Sequence, residues 1–125
     1  MEKVNAKNVP EAIGPYSQAV KVGNFVFTSG QIAISPKTNQ LVQGDIAVQI
    51  KQILDNVRNL LSAAGTSLDN AIKVNVYLKD MNDFQKMNEV YAQYFTNKPA
   101  RATIQAAALP KNALIEMDII AEIKG

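Results

Sequence analysis

Arg101 and Glu116 are two side chains that could carry chemistry in a 125-residue chain that contains neither histidine nor cysteine. Without histidine there is no Ser-His-Asp triad, no His-ligated zinc and no imidazole base. Without cysteine there is no thiolate nucleophile, thiolate metal site or disulfide. Any chemistry must rest on arginine, carboxylates, hydroxyls, lysine or the backbone.

Arg101 opens a strand-like segment in Pro99-Ala100-Arg101-Ala102-Thr103, between two alanines small enough to let it reach outward. Its guanidinium presents paired planar donors that fit a carboxylate in bidentate fashion, which lysine does less well. Glu116 lies in the most apolar strand, between Ile115 and Met117. Enclosed there, its carboxyl would hold its proton more tightly and could handle a water molecule near neutral pH. Taken locally, the ordinary reading of each is stronger: a solvated strand-end arginine or surface ion pair, and an outward residue of an alternating strand shared with Asp118 and Glu122.

Two further segments are candidate pocket walls. Ile13-Gly14-Pro15-Tyr16-Ser17 is a turn followed by a tyrosine that can cap an apolar wall, and Phe27-Thr28-Ser29-Gly30-Gln31 ends a strand in small polar residues. Gly30 would let a ligand approach bare backbone amides. Ser29-Gly30 lacks the G-x-S-x-G pattern of a nucleophile elbow, and neither a P-loop nor a dinucleotide fingerprint is present.

The elements that must position these residues follow from periodicity. Between Asp45 and Ala64 the apolar residues Ile46, Ile50, Ile53, Leu54, Val57, Leu60 and Leu61 recur at helical spacing, and Gly65 supplies a stop. A second helix is predicted from a capping box at Asn82 and Gln85, with Phe84, Met87, Tyr91 and Phe95 on one face and Pro99 as its end. Ala71 to Leu78 alternates, with Ile72, Val74, Val76 and Leu78 opposing Lys73, Asn75 and Tyr77, and Leu114 to Ile123 alternates too. Ala19–Val22 and Phe25–Phe27, split by Gly23-Asn24, predict a hairpin, and Arg101–Ala108 a further strand. Ile34 to Gly44 is the one loop-rich stretch. The expected architecture is α+β: one sheet with two amphipathic helices packed on one face, and a second face open to water or a subunit partner.

Length and 47% hydrophobic content fit a single domain over 1–125. The net charge of +2 is too small and dispersed to mark a nucleic-acid or anionic-membrane surface. The N-terminus lacks the apolar core of a signal peptide, and no stretch nears the roughly 18 apolar residues of a membrane span, so a cytoplasmic protein is expected.

The ordered set of segments resembles the Rid/YjgF family of reactive-intermediate deaminases. It runs from Ala12-Ile13-Gly14-Pro15-Tyr16-Ser17-Gln18 through Thr28-Ser29-Gly30-Gln31, Asp55-Asn56, Val76-Tyr77-Leu78-Lys79-Asp80, Asn88-Glu89-Val90-Tyr91 and Pro99-Ala100-Arg101. It closes on Leu109-Pro110-Lys111 and Ile115-Glu116-Met117-Asp118, so it covers nearly the whole chain. The resemblance implies a chorismate-mutase-like fold and a homotrimer with clefts between subunits. It also implies cofactor- and metal-independent hydrolysis of 2-imino acids and their enamine tautomers, such as 2-aminoacrylate, 2-iminopropanoate and 2-iminobutanoate, to 2-oxo acids and ammonia. On that resemblance Arg101 and Glu116 are catalytic, clamping the substrate carboxylate and handling the attacking water. Tyr16, Ser29, Gly30, Asn88 and Thr103 join Arg101 in binding substrate. Some members carry cysteine where this chain has Thr103, so a role needing a thiol is absent while a backbone contact is not.

Two rivals stand beside this expectation. One is a regulatory protein that binds small carboxylates in the same cleft without turnover. The other is RNA binding or cleavage, which the lack of a basic stripe and of histidine argues against.

Overall fold

A computed structural model describes residues 1–124 as one six-stranded sheet with two long helices. In chain order these are β1 (Glu2–Val4), β2 (Ala19–Val22), β3 (Phe25–Thr28), α1 (Ile46–Ala64), β4 (Ala71–Leu78), α2 (Phe84–Tyr94), β5 (Ala100–Gln105) and β6 (Ile115–Glu122). Their order across the sheet is β1-β2-β3-β6-β4-β5, and β4–β5 is the parallel pair, joined by α2. The α+β layout is the expected one.

Helix α1 begins where Asp45 Oδ1 accepts from the Val48 amide at 3.1 Å, removing one orphan donor of the first turn. It ends at Gly65, whose φ of 92° is the left-handed cap for which glycine carries no Cβ penalty. Its apolar stripe, Ile50, Ile53, Leu54, Val57, Leu60 and Leu61, is wholly buried. It meets an inner sheet face built from Val4, Ala19, Val26, Val74, Val76, Ile115, Met117, Ile119 and Ala121, with Met87, Tyr91 and Phe95 of the second helical region completing the core. Burial of each large aliphatic side chain contributes about 1.5–3 kcal/mol.

The opposite sheet face carries Phe25, Phe27 and Ile104, all exposed. Beside them Asp118 accepts from Asn75 Nδ2 at 2.8 Å and from the Tyr77 hydroxyl at 3.0 Å.

Four local expectations are corrected. Ile72 does not join Val74 and Val76 inside, because the register slips between Ala71 and Lys73 and leaves Ile72 exposed. The capping box at Asn82 and Gln85 does not form. Asp80 instead accepts from the Asn82 amide and caps a single 3₁₀ turn, Met81–Asp83, that leads into α2. That helix stops at Tyr94 rather than at Pro99, and beyond it the Asn97 side chain donates to the carbonyls of Asp69 and Ala71. The strand expected to run to Ala108 ends at Gln105. The short β1, which periodicity could not reveal in three residues, adds an edge by pairing Lys3 with Val20.

Candidate functional site

The sequence-selected residues fall into two groups, and the sheet separates them. Arg101 pairs in register with Val74, and Thr103 with Val76, so both point to the helix side of the sheet. Glu116 pairs with Tyr77 and points to the other side. Arg101 and Glu116 therefore lie on opposite faces and do not converge within one chain.

The arginine group is built by β5 and α2. Arg101 Nη1 donates to Asn88 Oδ1 at 2.7 Å. Its guanidinium stacks over the rings of Tyr91 at 4.8 Å and Phe84 at 5.5 Å. The expectation of an unobstructed outward arginine is thus corrected: the side chain is half-buried beneath α2 because two aromatic faces favour a cation there. One edge of the fork is held by Asn88, and the stacking fixes its plane. Thr103 Oγ1 and the Tyr91 hydroxyl are both buried without a hydrogen-bond partner among the described residues. Burial pushes the Tyr91 pKa up, and the nearby Arg101 charge pulls it partly back. Tyr91 and Phe84 were missed as site residues. In a sequence they are indistinguishable from the apolar stripe of an amphipathic helix.

The glutamate group is built by the start of β6 and the loop after β3. Gln31 and Met117 exchange backbone hydrogen bonds at 2.7 and 3.0 Å, which lays Gly30 directly against Glu116. A Cβ placed on Gly30 would stand 3.0 Å from the Glu116 Cδ. The room glycine leaves is therefore filled by this carboxylate, not held open for a ligand as its sequence setting suggests. Ser29 donates its hydroxyl to the Ser17 carbonyl at 2.5 Å, tying the Tyr16 turn to the end of β3. Tyr16, half-exposed, lines a cleft of about 380 Å³ together with Ile13, Gly30, Ile34, Lys111 and Glu116. A broader, shallower hollow of about 740 Å³ lies on the far side of Tyr16, but Lys3 is its sole charged lining side chain. The smaller cleft is the one that Glu116 lines.

Glu116 has its pKa raised, first by desolvation and then by the neighbouring Asp118 charge. At the cleft rim Lys111 and Asn39 both hold left-handed backbone, with φ of 54° and 60°. Non-glycine residues adopt this region at a cost and are enriched where function needs it. Asn88 is thus placed with Arg101, and Tyr16, Ser29 and Gly30 with Glu116, while Thr103 shares the arginine's face. No group of side chains among the described residues has the makings of a metal site.

Similar proteins are known both by sequence and by structure. The sequence profile of the family described as Endoribonuclease L-PSP matches residues 6–123. A RutC family protein of Pyrococcus horikoshii is 57% identical over 121 residues, covering 96% of both chains. The human 2-iminobutanoate/2-iminopropanoate deaminase is 48% identical over 119 residues, covering 94% of this chain and 87% of its own. Among solved structures, that of a putative endoribonuclease from Thermotoga maritima superposes with a TM-score of 0.96 at 46% identity, over 100% of this chain and 99% of the other. The six-stranded α+β fold thus recurs in a similar protein of known structure. The chain belongs to the Rid/YjgF family.

Proposed function

We propose that this protein hydrolyses reactive 2-imino acids and their enamine tautomers to 2-oxo acids and ammonia. The observation that carries the reading is the Glu116 carboxyl, partly desolvated against Gly30 in a cleft large enough for a small metabolite. The human relative's name supports the same chemistry. Because Arg101 faces away from Glu116, we place the complete site between subunits of a homotrimer, with Arg101 of one copy facing the Glu116 cleft of the next. The exposed Phe25, Phe27 and Ile104 on the second sheet face supply apolar surface for such an assembly.

In this mechanism the stacked guanidinium grips the substrate carboxylate through its free fork. A water held by Glu116 attacks C2 of the C=N bond, and its proton passes to the carboxylate. The adduct takes that proton on nitrogen to become the carbinolamine. Glu116 then removes the C–OH proton and delivers it to the nitrogen as the C–N bond breaks, so that ammonia and the 2-oxo acid are released and the carboxylate is regenerated. A 2-imino acid is already electrophilic, so orientation supplies most of what is needed, an entropic gain of several kcal/mol. Neither metal nor cofactor enters this scheme. The setting we assign is the cytoplasm, and no helix among the described residues is long and apolar enough to cross a membrane.

The RNA-cleaving reading suggested by the family description is less well supported. Even with Arg101 of a neighbouring copy added, Glu11 and Glu116 line the cleft against two cations, that arginine and Lys111, a poor match for a phosphate backbone. The test is to generate 2-iminopropanoate in situ with an amino-acid oxidase and trap surviving imine with semicarbazide. Catalytic amounts of this protein should suppress trapping, and Arg101→Ala should lose about 100-fold or more of that activity, as expected when a charge-paired anchor is removed. No suppression by the native protein favours carboxylate binding without turnover.

A further inference from the structure

Apart from Tyr91 and the hydroxyl of Thr103, the buried polar side chains among the described residues are Gln18, Gln49 and Asn56, and all three are amides. An amide removed from water is costly unless its donors and acceptor are matched, so the destination of their hydrogen bonds is informative. None of the three supports a helix or strand ladder. Each reaches out of the core to the backbone of an irregular segment.

Gln18 accepts from the Ala6 amide at 2.6 Å and donates to the carbonyls of Ala6 at 3.2 Å and Pro10 at 2.9 Å. Gln49 donates to the Val42 carbonyl at 3.2 Å and accepts from the Leu114 amide at 2.9 Å. Asn56 donates to the Ile34 carbonyl at 2.8 Å, and its own oxygen is held by Gln52 at 3.0 Å. Pro10, Ile34 and Glu116, two residues beyond Leu114, all line the same cleft. Two of the anchors thus end on cleft residues, Pro10 and Ile34, and the third ends two residues before Glu116. Within the loop from Ile32 to Val42 the backbone bonds are local, Ile34 to Ile32, Ser35 to Gln40, Asn39 to Ser35 and Val42 to Ala33. Among the described residues the side chains of Asn56 and Gln49 are what hydrogen-bond this loop to α1, at Ile34 and Val42.

With the substrate carboxylate taken by Arg101 and the reacting carbon near Glu116, what remains to occupy this cleft is the substrate side chain. Its apolar walls are Pro10, Ala12, Ile13, Ile32 and Ile34. We infer that Gln18, Gln49 and Asn56 are positioning residues that set the width of the Glu116 cleft and, through it, the side-chain size of the 2-imino acid accepted. This assignment rests on the imine-hydrolase reading for its substrate, but not for the anchoring.

The full-length protein and its Asn56→Ala variant would be compared by two measurements, with Gln52→Ala as a milder variant that leaves the Ile34 bond but frees the Asn56 amide. The first is the ratio of kcat/KM for the leucine-derived imine to that for 2-iminopropanoate. A ratio is blind to the fraction of folded protein. Asn56→Ala should lower it about tenfold, mainly through KM for the larger substrate, as expected when an apolar wall is displaced. The second is amide hydrogen exchange, which should quicken over residues 32–42 while β4 and β6 keep their protection. An unchanged ratio overturns the specificity role. Unchanged exchange over 32–42, or protection lost evenly across the sheet, overturns the positioning role. If the native protein hydrolyses neither imine, the functional reading fails and exchange alone decides whether Asn56 holds the cleft.

Discussion

Gly30 has no side chain because Glu116 occupies the place where one would be. A Cβ at Gly30 would stand 3.0 Å from the Glu116 Cδ and closer still to Oε2. Gly30 is not among the residues with positive φ, so the requirement is for space and not for backbone freedom. Gly30→Ala should therefore fold and should displace the carboxylate. Misplacement of a reacting group by about 1 Å costs on the order of 100-fold. Imine hydrolysis by Gly30→Ala should fall by about that factor with a thermal melt close to the native one. Full activity in this variant would show that the carboxylate position seen here is not the working one.

Glu116 also makes stability depend on pH. Its pKa is raised in the folded protein, so the folded state binds the proton more tightly than the unfolded chain does. The stability this contributes is fully present below the ordinary value of 4.5 and is lost as pH rises through the higher folded value. Replacement by Gln removes that loss. Glu116→Gln should melt at a higher temperature than the native protein at pH 7, and the gap should close as pH falls towards 4.5. The same variant should be inactive. A melting gap that stays constant with pH would contradict the desolvated state described for this carboxyl.

The opposite-face placement of Arg101 and Glu116 yields a complementation test. Arg101→Ala and Glu116→Gln chains, each inactive alone, should regain activity when unfolded together and refolded as mixed oligomers. Recovery should reach roughly a quarter of the native rate for an equal mixture, since a site needs an intact contributor on each side and independent assortment supplies both about one time in four. Mixtures as inactive as their parents would place both residues in one chain's site and defeat the intersubunit arrangement.

Much of the fold was legible because its elements are amphipathic: α1, β4 and β6 announce themselves by periods of 3.6 and 2, and Asp45 and Gly65 bound α1 as their types suggest. Ile72 was misplaced because a register slip leaves no mark on a hydrophobic pattern. The start of α2 was misread because Asp80, Asn82 and Asp83 are all competent caps, and tertiary fit decides among them. At the site, residue types drew attention to Arg101, Glu116, Tyr16 and Gly30. The partition of those residues between sheet faces was not legible, because it depends on how β5 registers against β4. Tyr91 satisfies the apolar stripe of α2, and Asn56 is a polar residue beside the stripe of α1, so the second role of each shows only when the neighbour it reaches is known.

The edge position of β5 has a consequence for how such a catalyst would be regulated. A sheet edge bearing Arg101 can be met by another chain without any rearrangement of the core, whereas the glutamate of the same chain is two strands away and faces the reverse side. Under the proposed arrangement turnover per chain is not a constant of the molecule. It would fall on dilution as the copies separate, so the abundance of the protein would act as its switch.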